Sequence, residues 1–73
     1  MAITYKAIDF DTAGEAIQYA EAAGGVAILV NGPPQVVSQA DAERLGQAGV
    51  EFAYLVDHEM PDGERRIMTI PVN

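Results

Sequence analysis

The side chains best suited to chemistry lie together in the run 57–64, which reads DHEMPDGE. It combines the only histidine of the chain with four carboxylates, and these groups are common ligands of divalent cations. The spacing, however, fits neither a calcium-binding loop nor a zinc-binding His-Glu-x-x-His helix. In an extended strand Asp57 and Glu59 point to one face and His58 to the other, so the three do not converge. We therefore expect a solvated hairpin tip, with a small-ligand or weak metal-binding site at 57–64 as an alternative.

No residue pattern in the sequence indicates catalysis. Ser38 is the only serine, and it stands where a helix cap is expected and not in a Gly-x-Ser-x-Gly turn. The glycine pair Gly24-Gly25 follows a predicted helix instead of preceding one, unlike a phosphate-binding loop. The chain has no cysteine, which excludes disulfides, thiolate metal sites and cysteine nucleophiles. We expect a protein that is not an enzyme and that has no catalytic residues, no cofactor and no resident metal.

The charge balance limits the classes of partner. Eleven acidic residues against four basic ones give a net charge of −7. Such a chain repels phosphate groups, so we expect no direct binding to nucleic acid or to an anionic membrane. No apolar run approaches the ~20 residues of a membrane span, and no signal-peptide pattern is visible, so a cytoplasmic location is expected. The same charge is compatible with an acidic decoy that occupies a basic protein surface.

The apolar pattern predicts the order β-α-β-β-α-β-β, with a first strand at residues 3–7. Thr12 and Ser38 are predicted to begin the two helices, and Gly24 and Gly49 to follow their ends. These elements predict a single α+β domain over residues 1–73, with a mostly antiparallel sheet and both helices on one face. The topology that we predict first is a ferredoxin-like βαββαβ unit with an extra carboxyl-terminal strand.

The last two strands are predicted to form a hairpin, because Pro61-Asp62-Gly63 has the chemistry of a type I turn followed by a left-handed glycine. Pairing Met60 with Glu64 fixes the register. We expect one face of the hairpin to be core, and it carries Phe52, Tyr54, Val56, Met68, Ile70 and Val72. The opposite face carries an apolar patch where a solvated sheet is usually polar, and its members are Ala53, Leu55, Ile67 and Pro71.

This apolar patch is the candidate interface of the sequence. It favours a small protein-interaction or self-association module, with a protein partner or a second copy in a homodimer. The opposing interpretation is that another part of the chain covers the patch, as in a fold with a third layer. The acidic decoy and the ligand-binding hairpin tip remain alternative functions.

Overall fold

The computed structural model describes residues 4–73, and this part of the chain forms two helices and a five-stranded antiparallel sheet. In chain order the elements are β1 (Ile8–Asp9), α1 (Ala13–Ala23), β2 (Val26–Leu29), β3 (Pro34–Val37), α2 (Gln39–Gln47), β4 (Phe52–Glu59) and β5 (Arg65–Val72). The predicted α+β class and element order are confirmed. Within the described range neither helix has the length and apolar character that crossing a membrane requires.

The first strand lies later than predicted. It covers only Ile8–Asp9, residues 4–7 have no regular structure, and Ile3 lies outside the described residues. The reason is the length of its partner, because β1 pairs antiparallel with β3 through Ile8↔Val36 and Asp9↔Gln35. Moving back along β1 means moving forward along β3, which ends at Val37 where the chain turns into α2. Residues before Ala7 therefore have no strand to pair with.

The two helices lie on opposite faces of the sheet, and the prediction of both on one face is wrong. The strand order is β1-β3-β2-β4-β5. The α1 crossover runs from β1 to β2 past β3, and the α2 crossover runs from β3 to β4 past β2. Both crossovers advance toward β5 across the sheet, but they start from β1 and β3, which are antiparallel to each other. Because such crossovers are right-handed, the two helices must cover different faces.

Two apolar clusters show this arrangement. One joins α1 to Ala27, Val36 and Leu55, and the other joins α2 to Ile28 and to the strand residues Val37 and Phe52. Neighbouring residues of β2 thus belong to different clusters, which is why this strand is apolar on both faces. The ferredoxin-like topology is also wrong, since β4 pairs here with β2 and not with β1.

Helix α1 is capped as predicted and lies very close to the sheet. The Thr12 hydroxyl accepts a hydrogen bond from the Glu15 N–H at 3.2 Å, and Gly24 ends the helix with φ 77°. The residues that α1 buries are mostly alanines, which allows a close approach. At Gly25, in the connection between α1 and β2, a Cβ atom would lie 2.9 Å from the carbonyl oxygen of Val37, so a side chain there would press against the end of β3.

Helix α2 is short and packs through few side chains. The Ser38 hydroxyl accepts from the Asp41 N–H at 3.1 Å, and Ala42 and Leu45 are fully buried. Leu45 is its only large buried residue, and it packs in the cluster of Ile28. The attachment of α2 to the sheet therefore depends mainly on one leucine.

The predicted register of the last hairpin is confirmed from Phe52↔Val72 to Glu59↔Arg65. At the tip the Met60 N–H donates to the Glu64 carbonyl at 2.6 Å, and Gly63 has φ 90°. Strand β2 pairs with β4 only through Ile28↔Tyr54 and Leu29↔Ala53. The half of the hairpin nearer its turn therefore extends beyond the other strands of the sheet. The molecule is elongated and measures 45 × 23 × 20 Å.

Candidate functional site

The acidic hairpin tip does not assemble a metal site. The Asp57 carboxylate accepts a hydrogen bond from Arg65 at 2.8 Å, diagonally across the strands, although the residue directly opposite Arg65 is Glu59. His58 lies opposite Arg66, on the other face of the strand from Asp57. Residues 4–73 contain no group of three or more histidine, aspartate and glutamate side chains that could hold a metal ion.

A cleft of about 500 Å³ lies between β3, the end of α1 and the start of α2, and its lining includes Ser38 and Asp41. Ser38 uses its hydroxyl oxygen to cap α2. Asp41 accepts a hydrogen bond from Arg44 at 2.9 Å. These intramolecular contacts account for both side chains.

The predicted apolar patch is not one continuous surface. Leu55 is only 7% exposed and packs under α1, Ala53 is half-buried, and Ile67 and Pro71 are exposed. The opposing interpretation, that another part of the chain covers the patch, is therefore correct at Leu55. Helix α1 lies over β2, β3 and β4, so it reaches Leu55 on β4 but not Ile67 on β5.

The face predicted to be core is covered at one end only. Phe52 is buried beneath α2, and Val72 at the same end is partly buried. Met68 and Ile70 are 50% and 51% exposed, so their prediction as core residues is wrong. The short α2 does not extend along β5 as far as these two positions.

Strand β5 is an edge strand of the sheet, and it has apolar side chains exposed on both faces. Ile67 is 48% exposed on the α1 side, and Met68 and Ile70 are exposed on the α2 side. Within residues 4–73 no other strand pairs with the side of β5 that faces away from β4, and we call this side the outer edge. Sequence reasoning placed the candidate interface on one face of the hairpin, beside an exposed sheet edge that it did not assign to a strand. Pro71 was the available signal, because proline within a strand is confined to edges and bulges.

The hydrogen-bond alternation determines which backbone groups point to the outer edge. The Met60–Glu64 bond sets the phase, and in an antiparallel ladder every second residue bonds its partner strand. The even-numbered residues of β5 therefore bond β4. The backbone N–H and C=O groups that point to the outer edge belong to Arg65, Ile67, Thr69 and Pro71. Of these four residues, Pro71 has no N–H to donate.

The charge of β5 differs from that of the rest of the chain. Arg65 and Arg66 are its only charged residues, so the strand carries +2 in a chain of net charge −7. The remaining residues therefore carry −9. Within the chain each of these arginines lies beside a carboxylate, Arg65 beside Asp57 at 2.8 Å and Arg66 beside Glu64 at 3.9 Å.

The site is thus an eight-residue edge strand with a basic end, an apolar middle and a proline near its carboxyl end. Comparisons of the chain with protein-family models, with curated proteins and with solved structures find no match, so the geometry of β5 is the basis for a functional proposal.

Proposed function

We propose that this protein is a non-catalytic self-association module that uses the outer edge of β5 to bind a second copy of itself. The observation that supports this proposal is the exposure of Ile67, Met68 and Ile70 on a strand whose outer edge presents backbone donors and acceptors. Edge strands in monomeric proteins are usually shortened, covered or interrupted by charges. The middle of β5 has none of these features, and its flanks carry Arg66 on one side and Pro71 on the other.

Strand pairing satisfies both kinds of exposed group at once. Two antiparallel β5 strands would join the two five-stranded sheets into one continuous sheet and bond the outward N–H and C=O groups. The apolar side chains of the middle segment would lose part of their contact with water, at about 25 cal/mol per Å² of apolar surface. Because the edge is only eight residues long, we expect an interface at the low end of the size range and a dissociation constant in the micromolar to millimolar range.

Charge favours a second copy as the occupant. Arg65 and Arg66 each lie beside a carboxylate of the same copy, Asp57 at 2.8 Å and Glu64 at 3.9 Å, so two β5 strands can meet without an unbalanced excess of either sign. Self-association through any more acidic part of the surface would oppose like charges.

The test is the mass of the protein in solution, measured by sedimentation equilibrium from about 1 µM to about 1 mM, which spans binding free energies of about −8 to −4 kcal/mol. We expect the wild type to change from monomer to dimer across this range. Ile67→Lys should remain monomeric, because it adds a charge to the middle of the edge. The matched control is Ile8→Lys, which changes an isoleucine of similar exposure, 46%, on the opposite edge of the sheet and should dimerise like the wild type.

A second variant blocks the edge through the backbone. Thr69→Pro removes an N–H that points away from β4, so the β4–β5 ladder should persist and the circular dichroism should stay unchanged. This variant should also remain monomeric. A wild-type protein that is monomeric at every concentration would refute self-association, and so would dimers that form equally well in Ile67→Lys and Thr69→Pro.

A further inference from the structure

Pro71 is placed where it restricts how two β5 strands can pair. In a symmetric antiparallel pair, residues that point outward must face residues that also point outward, because only these can exchange N–H···O=C bonds. The two-fold axis can therefore pass beside Arg66, Ile67, Met68 or Thr69. An axis at Arg66 is disfavoured because it places the two Arg66 side chains directly opposite each other. The other three registers differ in what Pro71 meets. Resting on the proposed self-association, we propose that Pro71 selects the register in which Ile67 of one copy faces Ile67 of the other.

With the axis at Ile67, each outward N–H of the strand reaches a carbonyl of the second copy. Ile67 exchanges bonds with Ile67, and Arg65 exchanges bonds with Thr69 in both directions. Pro71 then lies beyond the last of these pairs, opposite Gly63 in the turn of the other copy. The missing N–H of Pro71 costs nothing in this arrangement, because no carbonyl depends on it.

The registers with the axis at Met68 or Thr69 place Pro71 inside the interface. With the axis at Met68, Pro71 faces Arg65 of the second copy. The pyrrolidine ring of Pro71 then lies against the Arg65 carbonyl, which needs an N–H donor. Symmetry repeats this conflict at the other end. With the axis at Thr69, Pro71 faces Ile67, closer to the centre of the interface. Proline in the interior of a sheet removes a ladder hydrogen bond and forces the strands apart, so both registers are disfavoured.

The register also has an electrostatic consequence. Met68 faces Arg66 of the second copy, so the two Arg66 side chains become diagonal neighbours at about 7–8 Å. In each copy the Glu64 carboxylate lies 3.9 Å from the Arg66 guanidinium on the same face of the strand. This neighbouring carboxylate offsets the repulsion between the two arginines.

Single cysteines test the register, because the chain has none of its own. Residues that face each other across the axis lie about 5.5 Å apart at Cα, within the range of a disulfide. Under mild oxidation at about 100 µM protein, Ile67→Cys should form disulfide dimers about ten-fold faster than the edge control Ile8→Cys, since pairing raises the effective thiol concentration to the millimolar range. Met68→Cys and Thr69→Cys should cross-link more slowly than Ile67→Cys.

The role of Pro71 is tested by replacing it with a residue that has a backbone N–H. In the Met68→Cys background, Pro71→Thr supplies the missing N–H, and the rate of cross-linking should rise. If Met68→Cys or Thr69→Cys cross-linked faster than Ile67→Cys with Pro71 present, the proposed register would be wrong. The proposed self-association would still stand if sedimentation equilibrium showed a wild-type dimer. Rates at all three positions equal to that of Ile8→Cys, together with a wild-type monomer, would overturn both the register and the proposed function.

Discussion

Replacing Leu45 by alanine should remove most of the contact that holds α2 against the sheet. Leu45 is fully buried in the cluster that contains Ile28 and Phe52, and the other fully buried residue of α2 is Ala42, which contributes a single methyl group. A buried Leu→Ala change costs about 2–5 kcal/mol, and the cost is larger where the surroundings cannot collapse into the cavity. Ile28 and Phe52 belong to hydrogen-bonded strands that have little freedom to move inward. We therefore expect a loss of about 3–4 kcal/mol.

A loss of that size approaches the whole stability of a chain this small, whose core rarely supplies more than about 3–5 kcal/mol. The measurement is urea unfolding followed by far-ultraviolet circular dichroism. The protein concentration must be the same for all variants, because self-association adds to the apparent stability. The matched control is Ile67→Ala at a low concentration where the protein is monomeric. It removes a half-exposed aliphatic side chain and should cost about 1 kcal/mol or less. A Leu45→Ala loss below about 1 kcal/mol would refute the packing of α2 through this residue.

Three further substitutions test other parts of the fold. Gly25→Ala should lower the melting temperature, with a cost of about 1–3 kcal/mol, because its methyl group would press against the Val37 carbonyl. A melting temperature equal to or above the wild type would contradict the close approach of the α1–β2 connection to β3. Leu55→Glu should abolish the folded circular dichroism signal at every concentration, since it buries a carboxylate under α1, and a folded monomer would show that α1 leaves this position open. Thr12→Ala removes the cap of α1 and should cost about 1 kcal/mol in thermal or urea unfolding, whereas the exposed Thr4→Ala should be neutral.

The sequence predicts the local features of this fold well. The helix caps at Thr12 and Ser38 and the hairpin register around Gly63 follow from hydrogen bonds between residues a few positions apart. The face that each helix covers does not follow from such signals. Ala27 and Ile28 are both apolar, so β2 gives no indication of which helix lies on which side. That choice depends on the pairing of β4 with β2, which joins residues distant in the chain.

The candidate site was only partly predictable for the same reason. The register correctly places Leu55 and Ile67 on one face of the hairpin. Their different burial depends on how far α1 extends across the sheet, and periodicity within a strand contains no information on that distance. The outward direction of the Pro71 nitrogen, by contrast, follows from the turn and the register together, and it identifies β5 as an edge.

The assignment of neighbouring β2 residues to different clusters has a consequence for how the molecule opens. Ala27 helps to hold α1 and Ile28 helps to hold α2, so neither helix can detach without exposing one side of the same short strand. The amides of β2 should therefore exchange with solvent deuterium only when both layers are lost together, at a rate that reports the global free energy of unfolding. The tip of the hairpin, which extends past its neighbours, should exchange through small local openings, and the molecule should show a gradient of protection from its central strand outward.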